Sequence, residues 1–252
     1  MNSNPDDQKQ AISSQTKLTG AITWLRSGDI DQAIAVISDN GEIADADFPL
    51  ILSQSELQAA NTLSDQQEKR HFLMRRAFQR GFVAKCVDWH GNLADLPLCH
   101  RRDTRPTCPT VPELCISFSS SGDIALASSH RRKIVGVDIE RRRPVINAID
   151  LSRRFFTESE TLYLSGLPEI QMQSEFLTFW AIKEACLKAI GKGIIFGLNS
   201  FAIAIADGQH QVSPPPGYGS GLDWSVETLD VPGDYIAMHV KYGDPEEDLR
   251  QA

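Results

Sequence analysis

The chain has 252 residues and 41% hydrophobic content, enough for one large domain or two compact halves around a sizeable core. A formal charge of −8 argues against a general nucleic-acid binder, and no uninterrupted apolar run is long enough to span a bilayer. Five cysteines without C-x-x-C spacing read as reduced thiols rather than a disulfide or zinc framework, and the polar segment 1–17 is no signal peptide, so a cytoplasmic chain is expected.

Taken in order, residues 1–17 are expected to be a disordered tail, 18–133 an N-terminal half, 134–242 a C-terminal half and 243–252 a flexible tail. Residues 22–27 and 33–38 are short apolar segments, the second read as a helical turn leading into a strand. Ser53, with Glu56 three residues on, forms a capping box that opens a helix. From 64 to 83 the pattern is long and helical, with Phe72, Leu73, Ala77, Phe78 and Val83 inward and arginines outward. Residues 98–112 form a proline-bearing loop without internal pattern. Residues 114–117 and 124–128 then read as a strand pair around the turn Ser121-Gly122-Asp123.

The β-branched run from Ile134 ends in two carboxylates, Asp138 and Glu140. Strand side chains alternate, so these two point the same way, about 7 Å apart, while Val137 and Ile139 fill the opposite face. A helix over 173–190, stopped by Gly191, carries Glu184 on an apolar stripe, four residues after Trp180 and three before Leu187. A carboxylate there is costly unless a cation neutralises it. Three carboxylates brought together would hold a hard divalent cation such as Mg²⁺, with Lys183 and Lys188 beside it as phosphate partners. Taken singly, the same residues also read as a solvated strand end and an ordinary i,i+4 helix pair. Basic clusters at 69–70, 75–76, 131–133, 141–143 and 153–154 suit a small polyanionic substrate or an acidic partner, or else are solvated turns.

A long helix precedes a strand–Gly-Asp–strand unit twice, before Gly122-Asp123 and before Gly233-Asp234, at similar offsets. The expected fold is therefore α/β (α+β): two similar halves with pseudo-twofold symmetry, joined near Lys133, each a small sheet packed on a long helix.

Together, Gly136-Val137-Asp138-Ile139-Glu140 and Trp180-Ala181-Ile182-Lys183-Glu184-Ala185-Cys186-Leu187-Lys188 resemble the signature pair of the 4'-phosphopantetheinyl transferases of the Sfp type. The resemblance implies transfer of the 4'-phosphopantetheine arm of coenzyme A to a serine of an acyl or peptidyl carrier protein, releasing 3',5'-ADP. It implies Mg²⁺ (or Mn²⁺) on Asp138, Glu140 and Glu184, and catalysis by Glu184 and Lys188, with Glu184 as metal ligand, general base or both. Coenzyme A would meet Arg76, Arg105, Ser119, Ser120, Lys183, Lys188 and Lys192, in a monomer without nucleic-acid or membrane partners. Arg105 stands in Thr104-Arg105-Pro106 at the place of the family's Gly-Lys-Pro. The segment Ser119-Ser120-Ser121-Gly122 departs from the family's Ser-His-Ser-Gly, so Ser120 replaces a histidine that meets the nucleotide end of coenzyme A. Arg154-Phe155-Phe156-Thr157-Glu158-Ser159-Glu160 resembles the family's Arg-Phe-Phe-x-x-x-Glu, whose final acid is either structural or catalytic.

Two other classes are open. The altered Ser120 and Arg105 suit a non-catalytic carrier-protein or coenzyme A-binding relic. A metal-dependent nuclease lacks its Asp…Glu-x-Lys spacing, since Glu140 is followed by Arg141-Arg142. A serine hydrolase lacks Gly-x-Ser-x-Gly, and His71, His90, His100, His130, His210 and His239 read as surface or packing residues.

Overall fold

The structure is a computed structural model that describes residues 18, 20–29, 32–38, 43–100 and 104–243. The expected tail 1–17, and all of 243–252 but its first residue, lie outside the described residues. The chain is an α+β protein whose described residues form two larger antiparallel sheets and a two-stranded one. The first holds β1 (Thr23–Asp29), β2 (Gln32–Ser38), β3 (Cys115–Ser121) and β4 (Ile124–His130) in the order β1-β2-β4-β3. The C-terminal part contributes β5 (Ile134–Arg141), a hairpin of β6 (Ala202–Ala206) and β7 (Gln209–Ser213), then β8 (Trp224–Leu229) and β9 (Tyr235–Tyr242). The second sheet runs β5-β9-β8, and β6-β7 is the two-stranded one. No described helix is long and apolar enough to cross a membrane.

Residues 33–38 correct one expectation, being strand throughout rather than a helical turn. Ile34, Val36 and Ile37 are β-branched and suit a pleated surface, and β2 pairs with β4 without a break from Gln32↔His130 to Ser38↔Ile124. The β3–β4 hairpin turns at Gly122, whose φ of +54° is a left-handed conformation that glycine adopts without Cβ strain.

In the N-terminal part, α1 (Phe48–Ile51), α2 (Gln54–Asn61) and α3 (Gln66–Cys86) follow the second strand. The capping box of Ser53 and Glu56 starts α2 as expected. The Asp65 carboxylate accepts the Glu68 N–H at 2.7 Å and starts α3, satisfying one of the free amides of its first turn. This helix buries Ala77, Phe78, Phe82 and Val83 in a core with Ile116, Ala125 and Ala127 of the sheet. Each fully buried phenylalanine contributes about 1.5–3 kcal/mol.

In the C-terminal part, α4 (Ala148–Phe155) and α5 (Glu158–Ser165) lead to the long α6 (Glu169–Ala189). That helix lies directly on β5 and β9. A Cβ added to Gly136 would run into the Ala185 carbonyl and come within 2.9 Å of the Ala189 nitrogen, so glycine here lets the strand and helix backbones touch. At the other end of α6, the amides of Gly191 and Lys192 donate to the carbonyls of Lys188 (3.1 Å) and Leu187 (2.9 Å). With Gly191 at φ +67°, this is a Schellman stop.

The two larger sheets meet along β3 and β5, which lie at the edge of their respective sheets. Side-chain hydroxyls on β3 make this junction. Ser117, Ser119 and Ser121 accept the backbone N–H groups of Val137 (3.0 Å), Ile139 (3.3 Å) and Arg141 (3.0 Å) in turn. Every second residue of β3 faces β5, so the period-2 alternation of the strand supplies a serine at each step.

Candidate active site

A cleft of about 450 Å³ lies between α3, β3, β5 and α6. One end carries Asp138, Glu140, Glu184 and Lys188, and the other carries Arg75, Arg76 and His100. The acidic end is positioned by regular structure alone. Asp138 and Glu140 leave the same side of β5. Glu184 and Lys188 are four residues apart on α6 and share a helical face with Trp180, which also lines the cleft. The close approach at Gly136 sets the helix against the strand and so brings these groups together.

Asp138 is the buried centre of this end. Its Oδ1 accepts Ser119 Oγ at 2.7 Å and pairs with Lys188 Nζ at 2.6 Å, and Lys188 also donates to Ser119 Oγ at 2.9 Å. The second oxygen, Oδ2, is buried without a hydrogen-bond partner. Burial, then the charge of Asp138, push the Glu140 carboxyl up to about 7, with Glu184 adding to the rise and Arg143 and Lys188 opposing it. Glu184 is likewise raised, by burial and then by Asp138. A carboxylate whose charge raises its neighbours in this way attracts a cation.

No trio of described His, Cys, Asp or Glu side chains encloses a metal site by itself. The donor set nevertheless suits Mg²⁺, which is bound by one or two carboxylates and completes its shell with waters and substrate phosphates. Asp138 Oδ2 is the orphaned oxygen that such an ion would satisfy.

Of the residues expected at coenzyme A, Arg76, Ser119, Ser120 and Lys188 line the cleft, and Lys183, Arg105 and Lys192 do not. Lys183 is fully buried on the far side of α6. Its ammonium pairs with Glu160 at 2.9 Å and donates to the carbonyls of Leu198 (3.1 Å) and Phe201. Burial lowers its pKa, and Glu160 opposes the fall. Glu160 is the structural member of its segment. Its carboxylate caps α5 by accepting the Thr157 N–H at 2.7 Å and accepts the Ile203 N–H at 2.5 Å. Arg105 packs beside Gly191 and donates to the Ala189 carbonyl, where a cation meets the negative end of α6. The Lys192 side chain is exposed.

Of the histidines expected at the surface or in packing, His100 instead lines the cleft, and His239 is a packing residue. The latter is fully buried, with Nε2 3.0 Å from Ser128 Oγ and Nδ1 3.5 Å from Glu227. Ser128 is also fully buried, so this Ser-His-Glu series is closed to any substrate and ties β4 to β9.

Residues 134–237 match the family described as the 4'-phosphopantetheinyl transferase superfamily. The likeness covers 104 of the 252 residues, those of the C-terminal part that carry β5 and α6. It is 27% identical over 147 residues to 4'-phosphopantetheinyl transferase Sfp of Bacillus subtilis, an alignment covering 58% of this chain and 63% of that one. It is 34% identical over 112 residues to 4'-phosphopantetheinyl transferase psf-1 of Bacillus pumilus, covering 44% and 47%. To 4'-phosphopantetheinyl transferase HetI of a Nostoc species it is 30% identical over 155 residues, covering 59% and 63%. The matched part thus spans about half to three fifths of the length of these curated relatives.

Proposed function

We propose that this chain transfers the 4'-phosphopantetheine arm of coenzyme A to a serine hydroxyl of an acyl or peptidyl carrier protein. The serine oxygen bonds to the phosphorus beside the pantetheine, the bridging P–O bond breaks, and 3',5'-ADP leaves with the electron pair. Such a displacement depends on charge neutralisation and positioning more than on covalent help. Asp138, Glu140 and Glu184 would hold Mg²⁺, which when bound neutralises the pyrophosphate and polarises its oxygens. Lys188, half-exposed beside Asp138, is placed to turn its ammonium to a phosphoryl oxygen when substrate enters. Glu184 takes the serine proton, and burial and the Asp138 charge make its carboxylate more basic than an ordinary one. Ser119 holds Asp138 and Lys188 in register with β3.

The carrier approaches from the end of β5. Arg142 and Arg143 line a groove there with Pro144, Ile170 and Leu177, which suits an acidic partner with an apolar contact. The observation that carries the proposal is the convergence of Asp138, Glu140, Glu184 and Lys188 on one cleft within the family-matched stretch. Mass spectrometry of fatty-acid, polyketide and peptide carrier proteins after incubation with coenzyme A and Mg²⁺ tests it. One phosphopantetheine added to a serine is expected. No modification of any carrier, with coenzyme A still bound, would favour the relic.

A further inference from the structure

We propose that His100 is a specificity-determining residue that reads the 3'-phosphate end of coenzyme A, supplying from another segment of the chain the imidazole absent at Ser120. The inference rests on the transferase reading above and assigns a contact within the same site.

The cleft is polarised, and coenzyme A is polarised to match. Its pyrophosphate suits the end with Lys188 and the carboxylates. Its adenosine 3'-phosphate is a second, separate dianion that needs cations of its own. Arg75 and Arg76 supply them, half-buried at the opposite end, and neither forms an ion pair with a described carboxylate. Glu56 acts on Arg76 only through space. Phe72, under the Arg76 guanidinium at 5.3 Å, and Phe118 give this end aromatic faces on which a purine can stack.

His100 is built into this end. Its ring lies 5.6 Å from that of Phe118, which shares a face of β3 with Ser120 two residues on. Its Nδ1 lies 2.7 Å from Arg76 Nη1 and 3.1 Å from Gln79 Oε1, and Arg76 Nη1 also donates to that oxygen at 2.9 Å. A guanidinium can only donate, so Nδ1 accepts from Arg76 and the proton sits on Nε2. Gln79 Oε1 is then a second acceptor of the same guanidinium. Burial and the Arg76 charge lower the His100 pKa to about 4, which agrees with a neutral ring. Arg76 thus sets the tautomer, and Arg76 with Phe118 the orientation, of an imidazole that lines the cleft with an N–H to give. An anion between this N–H and the two arginines would be bound by all three.

Calorimetric titration of the purified full chain with 3',5'-ADP and 5'-AMP separates this contact from general nucleotide binding. His100→Ala should weaken 3',5'-ADP about tenfold, the loss of one hydrogen bond to a charged group, and 5'-AMP by less than about twofold. The apparent KM for coenzyme A should rise by a similar factor and that for 3'-dephospho-coenzyme A should not. Adding Ser120→His to His100→Ala should restore the preference for 3',5'-ADP, a rescue that a purely structural role would not allow. Equal losses for both nucleotides, or none, would overturn the assignment while leaving the transferase reading intact. A wild-type chain that binds neither nucleotide would overturn both.

Discussion

Replacing Lys183 with methionine keeps most of the side-chain volume but removes three buried donor bonds, to Glu160, Leu198 O and Phe201 O. The Glu160 carboxylate would then be left in the core with only the amides of Thr157 and Ile203. Breaking a buried pair from one side costs about 3–5 kcal/mol, because the surviving charge is uncompensated. For a chain of this size that corresponds to a fall in Tm of roughly 6–20 °C. Lys183→Met combined with Glu160→Gln removes the stranded charge, so the double variant should lose less than Lys183→Met alone. Urea denaturation of the wild type, both single variants and the double gives the coupling energy. In the folded fraction the KM for coenzyme A should stay within about twofold of wild type, since the ammonium faces away from the cleft. A Lys183→Met protein that loses less than about 1 kcal/mol yet binds coenzyme A poorly would show that the lysine serves the substrate, and the reasoning from burial would fail.

Gly136→Ala should cost about 3 kcal/mol or more, because the added methyl meets helix backbone that cannot turn aside. It should also lower turnover by driving Lys188 away from Asp138. Gly166→Ala, at φ −86° with only ordinary contacts around the new Cβ, is the control and should gain about 0.4–1 kcal/mol. Glu140, raised from 4.5 to about 7 in the folded chain, keeps a proton there that the unfolded chain gives up. Metal-free stability should therefore fall as pH rises from 4.5 through about 7, and Glu140→Gln should flatten that slope in denaturation curves taken across the window. Arg142, held by Ser174 (2.9 Å) and Asp234 (3.4 Å), is separable from the chemistry, whereas Arg143 acts on Glu140. Kinetics at two ionic strengths should show Arg142→Glu raising the carrier KM and flattening its salt dependence, with coenzyme A unaffected, and Arg143→Glu disturbing both.

The two 21-residue helices were legible because long periodic runs with recognisable ends leave little ambiguity, and β3–β4 because Gly122-Asp123 marks its turn. The strand at 32–38 was not, since a short apolar run has no period of its own and is settled by its pairing with β4. The orientation of Lys183 was recoverable. At 3.6 residues per turn it lies about 100° from Glu184, on the stripe of Phe176, Phe179 and Leu187, so both could not face one cleft. Its partner Glu160 comes from a separate helix, which only tertiary packing reveals. His100 sits in a loop with no pattern, and nothing local distinguishes it from the other histidines.

The serine junction between β3 and β5 bears on how the chain can be divided. Both strands end their sheets, and each would present unpaired backbone amides and carbonyls if the other were removed. Within the intact chain the three hydroxyls occupy that border, so neither sheet offers it as a template to a neighbouring molecule. The stretch 134–237 carries the family likeness, yet expressed alone it would bare the whole length of β5, with the amides of Val137, Ile139 and Arg141 released. Such a fragment should self-associate along that strand. In the whole chain it is β3 of the N-terminal part that covers this edge of β5.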